Sequence, residues 1–173
     1  LDGALKENNS IWIGNNPTSS TNGANHNVAF GYIALDAITT GDHNVAIGYN
    51  ALTDNTSGEA NTAIGLGSLV ANTTGIHNTA IGTYSLTTVT TGIRNTAIGS
   101  GSGANLNGLT SNTTLVGYNC NASNYQTYNE IVIGADATGL GGNKAVIGHS
   151  DITDLYAAQD GDAWVYGKGF LHM

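Results

Sequence analysis

Apolar residues along this chain recur in short alternating phrases, each closed by a glycine. The phrases read V-A-F-G from Val28, V-A-I-G from Val45, then T-A-I-G from Thr62, Thr79 and Thr96. An asparagine precedes each of them, at Asn27, Asn44, Asn61, Asn78 and Asn95. Variants end at Gly14 (I-W-I-G), Gly117 (L-V-G), Gly134 (I-V-I-G) and Gly148 (A-V-I-G). Successive glycines lie 17, 17, 17, 17, 17, 18, 17 and 14 residues apart. Alternation over three or four positions predicts a short β-strand. A period this short predicts a solenoid, whose units bury their apolar faces only by stacking on their neighbours.

Aligned on their glycines, the repeats become columns. The residue before the glycine is Ile13, Phe30, Ile47, Ile64, Ile81, Ile98, Val116, Ile133 or Ile147. Two positions earlier stand Val28, Val45, Thr62, Thr79, Thr96, Thr114 and Ile131, on the same strand face. Between them Ala29, Ala46, Ala63, Ala80 and Ala97, then Leu115, Val132 and Val146, face the other way. Two apolar faces fit a parallel sheet covered on both sides. A second short strand is expected after each glycine, with a small slot (Ala34, Ala51, Ser68, Ser85, Ser102, Cys120, Ala137) followed by Leu35, Leu52, Leu69 or Leu86. T-T-G or T-S-G turns follow, at Gly41, Gly58, Gly75 and Gly92.

The expected fold is therefore all-β: a parallel β-roll or β-solenoid of about nine coils on a 17-residue repeat. It has an N-terminal lead-in over 1–10, repeats over 11–150 and a non-repeat β cap over 151–173. Ile47, Ile64, Ile81 and Ile98 are expected to form the coil core with Leu52, Leu69 and Leu86. The small column (Ala29, Ala46, Ala63, Ala80, Ala97, then Leu115, Val132 and Val146) is expected to pack against other copies around a three-fold axis. Its enlargement at Leu115 suggests that the subunits spread, or the roll rotates, from about residue 112 onward.

Composition narrows the partners. The formal charge is −8, and Lys6, Arg94, Lys144 and Lys168 are the only fixed cations. Four scattered cations make no basic patch, so nucleic acid and anionic membrane are not expected partners. No apolar run approaches the ~20 residues of a membrane span, so no membrane insertion is expected. The lone Cys120 excludes an intrachain disulfide framework and reads as a small buried hydrophobe. The chain opens at Leu1 without a signal peptide, as a fragment or processed product would.

Residues 112–117 (N-T-T-L-V-G), 129–134 (N-E-I-V-I-G) and 143–148 (N-K-A-V-I-G) resemble the N-S-V-A-I-G head repeat of YadA-like trimeric autotransporter adhesins. The final 14-residue step matches that family's spacing. Earlier coils carry three extra residues, and His26, His43, His77 or Arg94 replaces the first Asn. This 17-residue version resembles more closely the repeats of phage tail fibres and tailspikes. The resemblance covers roughly 11–150 and implies a left-handed, homotrimeric β-roll with no enzymatic activity and no cofactor. It also implies an extracellular place on a virion tail fibre, a host-surface glycan or protein receptor, and contact with other fibre segments. Many such fibres carry a C-terminal chaperone of the endosialidase type that assembles the trimer and cuts itself off, which would make Met173 a processed end. The alternatives are an adhesin head on a bacterial cell surface and a polysaccharide-degrading tailspike fragment.

The remaining chemistry is sparse. Asp36, Asp42, Asp54 and Glu59 fall in turns and form no sequence pair of the kind a glycosidase needs, so no enzyme is expected. His26, His43 and His77 share a column with Ala60 and Arg94. They read as a solvated turn ladder or, facing a three-fold axis, as rings of three imidazoles able to hold a metal. Thr39-Thr40, Thr73-Thr74 and Thr90-Thr91 form a surface ladder that turn chemistry explains, with ordering of ice as the alternative. Asp160-Gly161-Asp162 reads as a hairpin turn rather than a calcium loop. Tyr156, Trp164, Tyr166 and Phe170 crowd the C-terminal segment and suit a trimer clamp, or else a receptor-binding tip.

Overall fold

The structure, a computed structural model, describes residues 4–7 (backbone alone), 9–14, 17, 21, 23–106, 108–123 and 128–152. Among the described residues, ten strands form one sheet in chain order: β1 (Ala4–Glu7), β2 (Ser10–Gly14), β3 (Val28–Gly31), β4 (Val45–Ile47), β5 (Thr62–Ile64), β6 (Thr79–Ile81), β7 (Thr96–Ile98), β8 (Thr114–Val116), β9 (Ile131–Ile133) and β10 (Ala145–Ile147). β1 pairs antiparallel with β2 and covers that edge; every later pairing is parallel. Among the described residues there is no helix. The chain is a β-solenoid, as the period predicts. Like stacks on like: Thr62 pairs with Thr79, Ala63 with Ala80 and Ile64 with Ile81. The register steps by 17 residues there, by 18 from Thr96 to Thr114 and by 14 from Ile131 to Ala145.

The closing glycine is required twice over. Gly65 sits at φ +129°, where L side chains are strained. A Cβ on it would also lie 2.6 Å from the backbone C and O of Gly82 in the next coil. Coils thus touch backbone to backbone at this corner, and their ladder closes with Gly65 N donating to Ile47 O at 2.8 Å.

Among the described residues, the second strand expected after each glycine is absent from Gly31 onward. Leu35, Leu52, Leu69 and Leu86 lie at φ 52°, 50°, 49° and 48°, in the left-handed region. A coil that closes in 17 residues must reverse direction at once, and a left-handed residue does this. Bonds to the next coil persist without strand geometry: Leu52 N donates to Ser68 O at 3.0 Å and Asp54 N to Val70 O at 3.1 Å.

The strand faces are the reverse of the expectation. Ala46, Ala63, Ala80 and Ala97 are 0% exposed, whereas Ile47, Ile81 and Ile98 are 38%, 37% and 41% exposed. Leu52, Leu69 and Leu86 are buried as expected, and they dictate the result. They fill the narrow interior from the turn side and leave room for only a methyl group on the strand side. Ile47, Ile64, Ile81 and Ile98 therefore lie outside the coil core. Ala29, Ala46, Ala63, Ala80, Ala97, Leu115 and Val132 belong to it and present no surface to another copy. Val146 is partly buried against the same core. The enlargement at Leu115 also has a cause inside the coil. The leucine column ends in Gly103, and a Cβ there would meet Leu86 Cδ2 at 2.7 Å, Leu115 Cδ1 at 3.0 Å and Leu106 Cδ1 at 3.2 Å. Leu115 fills the space beside Gly103 together with Leu86 and Leu106.

Candidate functional site

The strand displays a row of large apolar side chains on its outer face. Phe30, Ile47, Ile81, Ile98, Ile133 and Ile147 are exposed, while Ile64 and Val116 are half-buried in the same row. Beside them runs a second row: Val28, Val45, Thr62, Thr79, Thr96, Thr114 and Ile131. Together they make a two-residue-wide apolar face along the sheet, studded with threonine hydroxyls. A Thr on the inner side of so narrow a coil would bury its hydroxyl, so the shared parity of Thr and Ile marks the outer face.

A buried amide ladder runs alongside this face. Asn61 N and Nδ2 both donate to Asn44 Oδ1, at 3.0 and 3.1 Å, and Nδ2 also donates to Gly75 O at 2.8 Å. Asn78 repeats the arrangement on Asn61, and Asn95 repeats the Oδ1 bonds on Asn78. Ser10 Oγ starts the column by accepting from Asn27 N at 2.9 Å, and Thr113 N leaves it by donating to Asn95 Oδ1 at 3.1 Å. Only a side chain that both donates and accepts can continue such a column. The asparagines were visible in sequence, but no role for them was evident until Gly75 and its equivalents came beside them. A shorter ladder joins Asn72 Nδ2 to Asn55 Oδ1 at 2.8 Å.

The other sequence candidates are scattered. His26 and His43 stack, with ring centroids 4.9 Å apart and planes 5° from parallel. Stacked imidazoles present faces rather than lone pairs to each other, and Ala60 interrupts the column before His77. Among the described residues, no group of three or more His, Cys, Asp or Glu could hold a metal ion. Asp42 Oδ1 accepts from Asn25 N at 2.6 Å. Tyr32 and Tyr49 stack in solvent at 5.9 Å. Burial pushes the Cys120 thiol above its ordinary pKa, and its Sγ lies 3.2 Å from Val132 O. Tyr156, Trp164, Tyr166 and Phe170, with Asp160-Gly161-Asp162, lie outside the described residues. No protein-family model matches the chain, nor does any curated protein or solved structure.

Proposed function

We propose that this chain is a shaft segment of a homotrimeric, extracellular receptor-binding fibre of the phage tail type, contributing to attachment at a host surface. The observation that carries this is the outer apolar row, exposed at Phe30, Ile47, Ile81, Ile98, Ile133 and Ile147. Soluble monomers rarely leave a contiguous apolar face of this kind uncovered. A covering partner must match both the rise per coil and the apolar character of the row. Another copy of the chain in register does so by construction. Three copies arranged head-to-tail around an axis form a closed heterologous ring. Nine parallel strands then give a rod of roughly 40 Å at ~4.8 Å per strand.

Light scattering tests the assembly. The expected mass is that of three chains, and Ile81→Asp with Ile98→Asp should reduce it to one while the β circular dichroism persists. A parent protein that is folded and monomeric at micromolar concentration overturns the proposal.

A further inference from the structure

The leucine column four residues after each glycine changes character toward the C-terminus. Leu35, Leu52, Leu69 and Leu86 give way to Gly103, Asn121 and Thr138. The surface opens there into a cleft of about 380 Å³, lined by Asn105, Asn119, Asn121, Ser123, Asp136 and Thr138. That size lies within the range of small-ligand sites. None of these residues belongs to the outer apolar row.

Packing does not account for the polar groups. Gly103 shows that glycine suffices in this column once Leu115 fills the interior. Asn119 and Asp136 lie at φ 48° and 54°, in a left-handed column that favours Asn, Asp and Gly but also holds Ile33 and Tyr84, so the backbone does not require a polar side chain there. The cleft groups also hold one another in place. Asn119 Nδ2 donates to Asp136 Oδ1 at 2.8 Å, and Asn121 Nδ2 donates to Asn119 O at 3.0 Å. Asn121 Oδ1 accepts from Asn105 N at 3.3 Å, and Ser123 N donates to the buried Glu130 carboxylate at 3.3 Å. A set ordered before binding loses little freedom on binding.

The geometry points to a neutral saccharide as the ligand, a short stretch of a surface glycan; its cell-surface origin rests on the fibre reading above. Paired amides and a carboxylate match adjacent hydroxyls, which both donate and accept. Asp136 and the nearby Glu130 disfavour an anion, and the polar lining disfavours an apolar ligand. Asp136 and Thr138 also border a second recess of about 400 Å³, where Leu140 and Val146 supply an apolar wall for the C–H face of a sugar ring.

The test is an array of immobilised neutral oligosaccharides ending in hexose or N-acetylhexosamine, probed with the intact protein. The variant is Asn119→Gly with Asp136→Gly, because glycine already occupies this column at Gly67 and Gly101. Saturable binding by the parent, at least tenfold weaker in the variant with an unchanged melting temperature, is the expected result. No binding by the parent, or equal binding by both, overturns the assignment, as does calcium uptake lost in the variant with no glycan retained. Adsorption to a panel of bacterial cells separates the two proposals. A parent and variant that adsorb equally remove the cleft and leave the fibre, whereas a parent that is a folded monomer and adsorbs to no cell removes the fibre.

Discussion

The coils from Val28 to Gly99 and those from Ser100 to Gly148 solve the same packing problem in different ways. In the first group the strand offers alanine and the turn offers leucine: Ala63 with Leu69, Ala80 with Leu86. In the second the bulk crosses over, and Leu115 and Val132 come from the strand while Gly103 stands in the leucine column. The amide ladder changes in step, from Asn95 to Thr113 and then Glu130, whose carboxylate accepts from Gly141 N at 2.9 Å. The interior volume is kept, and the side from which it is filled is not. Once the strand fills the interior, the turn side is free to carry polar groups.

This contrast can be broken most severely at the strand alanine. Ala80→Leu overfills a coil already packed by leucine and should cost about 3 kcal/mol. Adding Leu69→Gly, which copies Leu115 over Gly103, should restore more than half of the loss in urea unfolding. If the double variant is no more stable than the single, the exchange of volume is not what relates the two regions.

The ladder gives a smaller effect that sharpens the same comparison. Asn61→Ala leaves Asn78 N without its acceptor and Gly75 O with Asn72 Nδ2 alone as donor, and should cost about 2 kcal/mol. Thr113 takes its place in the column through its backbone N–H, so Thr113→Ala should cost less than about 1 kcal/mol. Equal midpoint shifts for the two would show that the column is not a ladder.

Cys120 should give the smallest effect. Its column elsewhere holds Ala51 and Ala137, so Cys120→Ala should shift stability by less than about 1 kcal/mol. A raised pKa means a smaller thiolate fraction at any given pH than an exposed cysteine has. The folded protein should therefore resist alkylation at pH 8 and react on unfolding; labelling of the native state at the rate of a free thiol contradicts the buried slot.

The period, the parallel stacking and the glycine corners were legible because each is a repeated residue with one physical meaning. The choice of inner face was not read correctly, because alanine and isoleucine are both apolar and hydrophobicity alone favours the larger one inside. The deciding signal was present: Thr62, Thr79 and Thr96 share the parity of isoleucine. The second strand was mistaken because a left-handed leucine looks like any other leucine in sequence. The cleft was missed because Asn121 and Thr138 stand out only after the leucine column is followed past Leu86.

Identical register from Thr62 to Ile98 has a consequence for how such a molecule changes length. Duplicating one 17-residue unit in this stretch would set each new side chain on a counterpart of its own kind, and removing one would heal in the same way. Gene segments of 51 nucleotides are thus interchangeable parts, and reach can vary in increments of ~4.8 Å without any new interface having to be invented.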